Sequence, residues 1–120
     1  MPTQSLATRR GQQRGWVGAT HAATQSCRAK DLLESLRVAI RTTIHEPDAG
    51  EVATINLLTE TYKRAAALDP SNRKLKGVSM LAGMVLVDLE VKDKSVGEKR
   101  SRRVTLQASR VERALYLAIR

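Results

Sequence analysis

The sequence predicts a mainly α fold of the α+β type: an antiparallel helical hairpin, then a β-hairpin with a basic tip, then a C-terminal helix. Three observations lead there. Two stretches between Asp31 and Pro70 repeat apolar residues at helical spacing, and each is closed by a proline. Val85, Val87, Leu89 and Val91 alternate with Asp88, Glu90 and Lys92, and Val104, Leu106 and Ala108 alternate with Thr105, Gln107 and Ser109, as two paired strands would. Between them lies KDKSVGEKRSRR, Lys92 to Arg103, with Gly97 near its middle. The alternative assignment is an all-α four-helix arrangement, with a third helix from Ser79 to Val91 and a longer fourth one from Arg102.

Residues 1–29 show neither period, and their Gly, Gln, Thr and Arg content cannot supply a core, so they read as a basic flexible arm. Residues 30–120 form the expected single small, mostly helical domain. Phe is absent and the only Trp, Trp16, lies in the arm, so the core must be Leu, Val, Ile, Ala and Met. A domain this small buries only about 60 to 65% of its unfolded-chain surface, which makes a homo-oligomer or a larger assembly the expected state.

The first helix is expected from Asp31, which can cap it with Glu34 as the reciprocal partner three residues on. Leu33, Leu36, Ile40 and Ile44 repeat on one face, with Arg37 and Arg41 opposite and Lys30 extending that basic stripe. His45-Glu46-Pro47 breaks the run. Asp48 is the next expected cap, again with an acid, Glu51, three positions later, and the second helix should bury Val52, Ile55, Leu58 or Thr59, Tyr62 and Ala65 before stopping at Asp69-Pro70. The short link between them predicts antiparallel packing.

The stretch TYKRAAALDPSN resembles the closing half of a tetratricopeptide repeat, with Tyr62, Ala65 and Pro70 in the aromatic, small and proline places. That resemblance implies a helical hairpin ending here. Residues after Pro70 do not restart the pattern, and a solenoid needs at least three repeats, so no family membership follows. Ser71 to Gly77 reads as a basic connector, and the capping box Ser109-Arg110-Val111-Glu112 as the start of the last helix, whose apolar face is Val111, Leu115 and Ala118 or Ile119.

Chemistry-bearing constellations are scarce. His45-Glu46 begins like a zinc-protease signature, but Ala49 stands where the second histidine must be. Cys27 is the only cysteine, so no internal disulfide or multi-cysteine zinc site forms, and its possible partner His21 sits in the arm without a scaffold. No glycine-rich phosphate loop occurs. The expectation is a protein that is not an enzyme and takes no cofactor or metal.

The positive signal is charge. Lys and Arg number 21 against 12 Asp and Glu, a net +9, an excess that favours polyanionic partners: nucleic acid first, DNA or RNA, and anionic membrane second. Lys92, Lys94, Lys99, Arg100, Arg102 and Arg103 crowd the expected hairpin tip, Arg73, Lys74 and Lys76 the connector, and Arg9, Arg10 and Arg14 the arm. Without a recurring aromatic platform these groups should meet phosphate more than bases. The sequence therefore predicts a non-catalytic nucleic-acid-binding protein working through a basic loop and a basic arm, inside an oligomer or a ribonucleoprotein or packaging assembly. The second reading is an assembly subunit docking protein partners on its helical hairpin. No apolar run approaches the 18 residues of a membrane span, and an intracellular place is expected, although the acid-free segment before Asp31 also suits an organellar transit peptide.

Overall fold

The computed structural model describes residues 25–120, with side chains from Ala29 onward. Four α-helices make up the described chain: α1 (Gln25–His45), α2 (Pro47–Leu68), α3 (Arg73–Val87) and α4 (Gly97–Ile119), with a single π turn, Asp88–Lys92, continuing α3. Among the described residues there is no strand, so the expected β-hairpin is overturned and the all-α alternative fits. The arm, with Arg9, Arg10 and Arg14, lies outside the described residues except for the first turn of α1.

Each helix start differs from the capping signals in the sequence. α1 already runs from Gln25, so Asp31 is an exposed residue within it rather than its cap. α2 opens on Pro47, whose fixed φ suits the first helical position and whose missing N–H is not needed there, and Asp48 stands in the first turn without capping. Only Glu46 separates the two helices, which fold back on each other along their length. Ser109 lies in mid-helix, so the capping box expected there does not form.

The α1–α2 crossing is closer than apolar periodicity alone foretold. α2 buries Gly50, Thr54, Leu58, Thr61, Ala65 and Leu68, leaving Val52 and Tyr62, both expected inside, exposed. A Cβ on Gly50 would stand 2.2 Å from the Thr43 backbone, so α1 passes directly over this glycine. Thr43 donates to the Ala39 carbonyl at 2.9 Å and so receives the Thr54 hydroxyl at 3.0 Å, which satisfies two polar groups in the seam. On α1, Leu33 and Leu36 are buried as expected, while Ile44 at the helix end is exposed.

Asn72 joins the second half. Its Oδ1 accepts the Lys74 N–H at 3.0 Å, capping α3, while its Nδ2 donates at 2.7 Å to the carbonyl of Ala118 in the last turn of α4. α3 then buries Leu75, Val78, Ala82, Val85 and, in the π turn, Leu89. That stripe repeats every three to four residues and overrides the β preference of the valines: Val85 and Leu89 point inward, whereas Val87 and Val91 are exposed. The connector of the second helical pair is thus Asp69–Asn72 alone, and Arg73, Lys74 and Lys76 belong to α3.

α4 buries Val104, Ala108, Val111, Leu115 and Ala118. Leu106, which a strand would have turned inward beside Val104 and Ala108, is exposed. The four helices close a ring in which α1 meets α4. There the Arg37 Nε donates to Glu112 at 2.7 Å and its guanidinium lies 5.5 Å from the centre of the Tyr116 ring. The hydrogen bond to Glu112, chiefly, raises the already high proton affinity of Arg37. One apolar core runs through all four helices, with Leu36, Leu58, Leu75, Leu89 and Leu115 fully enclosed.

Candidate nucleic-acid interface

The basic run Lys92 to Arg103 is a helix entry, not a hairpin tip. It comprises the end of the π turn, a four-residue connector and the first two turns of α4. Gly97, at φ +64, supplies the left-handed conformation that turns the chain into α4, one that a residue with a Cβ adopts only under strain.

Within this run the cations divide by role. Arg100 turns inward, with its side chain only 16% exposed: Nη1 donates to the Leu89 carbonyl at 2.7 Å, Nε to Glu51 of α2 at 3.1 Å, and Asp93 lies 3.7 Å away. It ties the π turn, the connector and α2 to α4. Asp93, whose side chain is 7% exposed, accepts the Ser95 hydroxyl at 2.6 Å and its N–H at 2.9 Å through Oδ1, while Oδ2 faces Arg100 and Arg103. The Ser95 hydrogen bonds, then the two guanidiniums, hold its carboxyl below the usual carboxylate range against the opposing cost of burial.

Lys92, Lys94, Lys99, Arg102 and Arg103 face solvent. Arg102 reaches Glu98 at 3.6 Å and Arg103 reaches Asp93 at 3.5 Å, but their side chains remain 70% and 49% exposed. The Arg102–Glu98 pair is fully a surface pair and holds Arg102 only weakly, whereas Arg103 leans on an enclosed carboxylate.

The structure adds a set that the sequence reading left out. Arg110, Arg113 and Arg120 are exposed and follow Lys99, Arg102 and Arg103 on the outer face of α4. At about 100° per residue these six cations, with Leu106 and Leu117 among them, occupy about a third of the helix circumference. Both carboxylates of α4 lie off this stripe, Glu98 beside Arg102 and Glu112 against Arg37. Lys99 and Arg120 are about 32 Å apart along the axis, close to the roughly 34 Å of one duplex turn. The signal was present as a spacing of three or four from residue 99 to 120, but assigning a strand up to Ser109 cuts that period in two.

Arg73 and Lys74 open α3 directly after Asn72, whose Nδ2 donates to the carbonyl of Ala118, so they lie near the C-terminal end of α4 and are exposed. Lys76 is exposed on α3. The stripe expected on α1 is partly spent inside the molecule, because Arg37 is committed to Glu112 and Glu34.

A groove of about 880 Å³ runs between the α1–α2 turn and the start of α4, lined by Ile44, Pro47 and Leu106 but also by Asp48, Glu51, Glu98, Arg100 and Arg102. Its mixed charge suits neither an anion nor a cation. Among the described residues no three His, Cys, Asp or Glu side chains cluster as metal ligands would, and no helix is long and apolar enough to cross a membrane. No family model matches this chain, and no curated protein or solved structure matches it.

Proposed function

We propose that this chain is a non-catalytic nucleic-acid-binding protein that grips the phosphate backbone with the outer face of α4 and the connector before it. The observation that carries this reading is the stripe Lys99, Arg102, Arg103, Arg110, Arg113 and Arg120, on which no carboxylate of α4 lies, preceded by the exposed Lys92 and Lys94. A rigid helix holds these charges at fixed intervals, so little side-chain placement is left to pay for on binding beyond the rotamers themselves. The one aromatic beside this face, Tyr116, already has Arg37 and Arg120 over its ring, so contacts fall mainly on phosphates and affinity comes with little sequence preference. Insertion of α4 into an anionic bilayer is disfavoured by the same geometry, because its apolar face, Val104, Val111 and Leu115, is locked in the core.

Binding of the full chain to labelled duplex DNA, duplex RNA and single strands across a salt series tests this. If about five phosphates are neutralised, log affinity falls against log salt with a slope near −4.5 on duplex DNA. Changing Lys99, Arg102, Arg110 and Arg113 together to Ala should flatten that slope by about 3 and weaken binding on every sequence alike. Negligible binding at low salt, an unchanged slope, or preference for anionic vesicles over nucleic acid would each overturn the reading. Arg100 is unsuitable for this series, since its loss leaves Asp93 and the Leu89 carbonyl without their partner.

A further inference from the structure

α3 is apolar on two opposite sides. One side is the buried stripe through Val78, Ala82 and Val85; the other is Met80, Met84, Val87 and Val91, which remain 65, 63, 47 and 62% exposed. Their spacing of four, three and four is the a/d seam of a coiled coil, and no charged side chain interrupts it. Tyr62, half exposed, lies with its ring against Gly83 and widens the apolar strip on one flank. A lone amphipathic helix needs one such side, so the second is a surface awaiting cover.

Charge on α3 says what covers it. The helix starts with Arg73, Lys74 and Lys76, and the π turn that ends it carries Asp88 and Glu90. Cations at a helix N-terminus and acids at its C-terminus both oppose the helix dipole, so within one chain this arrangement is unfavourable. Beside a second α3 running the opposite way it becomes complementary, each basic start lying against an acidic end. A parallel neighbour would set like charges together.

We propose that α3 pairs antiparallel with α3 of a second copy of this chain, forming a two-fold homodimer centred on the turn around Ala82. In the a-to-d register Met80 packs on Met84 of the second copy and Val87 covers Gly77, whose missing side chain leaves open space. The same register sets Lys76 opposite Glu90 and Lys74 opposite Asp88, each pair occurring twice by symmetry. Asp88 is already engaged by Gln107 at 3.3 Å and by Lys92 at 4.0 Å, which leaves Lys76 with Glu90 as the pair that responds most cleanly. One helix pair covers less than about 1,200 Å², the size of a weak or transient interface, so the dimer is reversible. The pairing stands independently of the nucleic-acid reading.

Sedimentation equilibrium of the nuclease-treated full chain, free of nucleic acid, from roughly 1 to 300 μM at about 0.15 M salt, tests the proposal. A concentration-dependent monomer–dimer equilibrium is expected. Lys76→Glu and Glu90→Lys should each raise the dissociation constant about tenfold, and the two together should restore it to within about threefold of the parent. Lys76→Glu puts an acid in the first turn of α3, where the dipole favours it, so its thermal melt as a monomer should not fall; that separates weakened pairing from a damaged fold. A chain that stays monomeric at every concentration overturns the proposal and leaves the stripe to residues 1–24 or to a different protein. A dimer indifferent to both charge reversals, or one that the double variant fails to restore, overturns it equally.

Discussion

At the scale of the single residue, Asp93 joins hydrogen bonds at Oδ1 to an ion-paired Oδ2 that is buried without a hydrogen bond. Its carboxylate is nearly enclosed, yet it faces two guanidiniums and receives both hydrogen bonds that Ser95 can donate. These interactions favour the charged form, so its folded-state proton affinity is lower than in the unfolded chain. The resulting stability is fully present above the unfolded value, about pH 4, and is lost as pH falls below that and through the folded value. Asp93→Asn should therefore be less stable than the parent at neutral pH, with the gap between them closing in acid as the parent loses its own carboxylate. Urea midpoints from pH 7 down to pH 2 would show this, and a gap that stays constant with pH would refute it. The basic cluster around Asp93 was legible in the sequence, but the inward turn of Arg100 was not. Adjacent cations look alike in a sequence, and only the facing Glu51 and the Leu89 carbonyl, brought in from other elements, tell Arg100 from Arg102.

At the scale of the element, Asn72 is the joint on which two helices depend, since one side chain caps the start of α3 and occupies a carbonyl at the end of α4. Asn72→Ala should cost about 2 kcal/mol, roughly one for the cap and one for the lost hydrogen bond. Asn72→Ser keeps a capping oxygen but lacks the donor that reaches Ala118, and should lose about half as much; no loss at all in a denaturant titration would show that the link to Ala118 carries nothing. α1 and α2 could be read from the sequence because each has one apolar stripe and a proline marks each end. α3 could not, and the reason is its second apolar side: stripes on opposite faces of one helix place apolar residues two apart, so Val85, Val87, Leu89 and Val91 mimic a strand although Val85 and Leu89 face the core and Val87 and Val91 face away. The error at α4 followed from pairing a strand to it. Once that helix is seen whole, the outer arginines at 110, 113 and 120 fall into line with those at 99, 102 and 103.

At the scale of the whole molecule, three of the four principal helix contacts join helices that are neighbours in the chain, and only α1 with α4 closes the ring between distant segments. Predominantly local contacts of this kind fold quickly, on the order of microseconds to milliseconds. The tie between Arg37 and Glu112 spans 75 positions, so the chain must close its longest loop before that bond can form. The bond is therefore expected to form late in folding and to open early in unfolding. Glu112→Gln should speed unfolding roughly threefold to fivefold and leave the refolding rate unchanged in stopped-flow traces; equal effects on both rates would place α1 against α4 already in the transition state. On that expectation the clasp is a brake on the way out of the native state with no part in the way in.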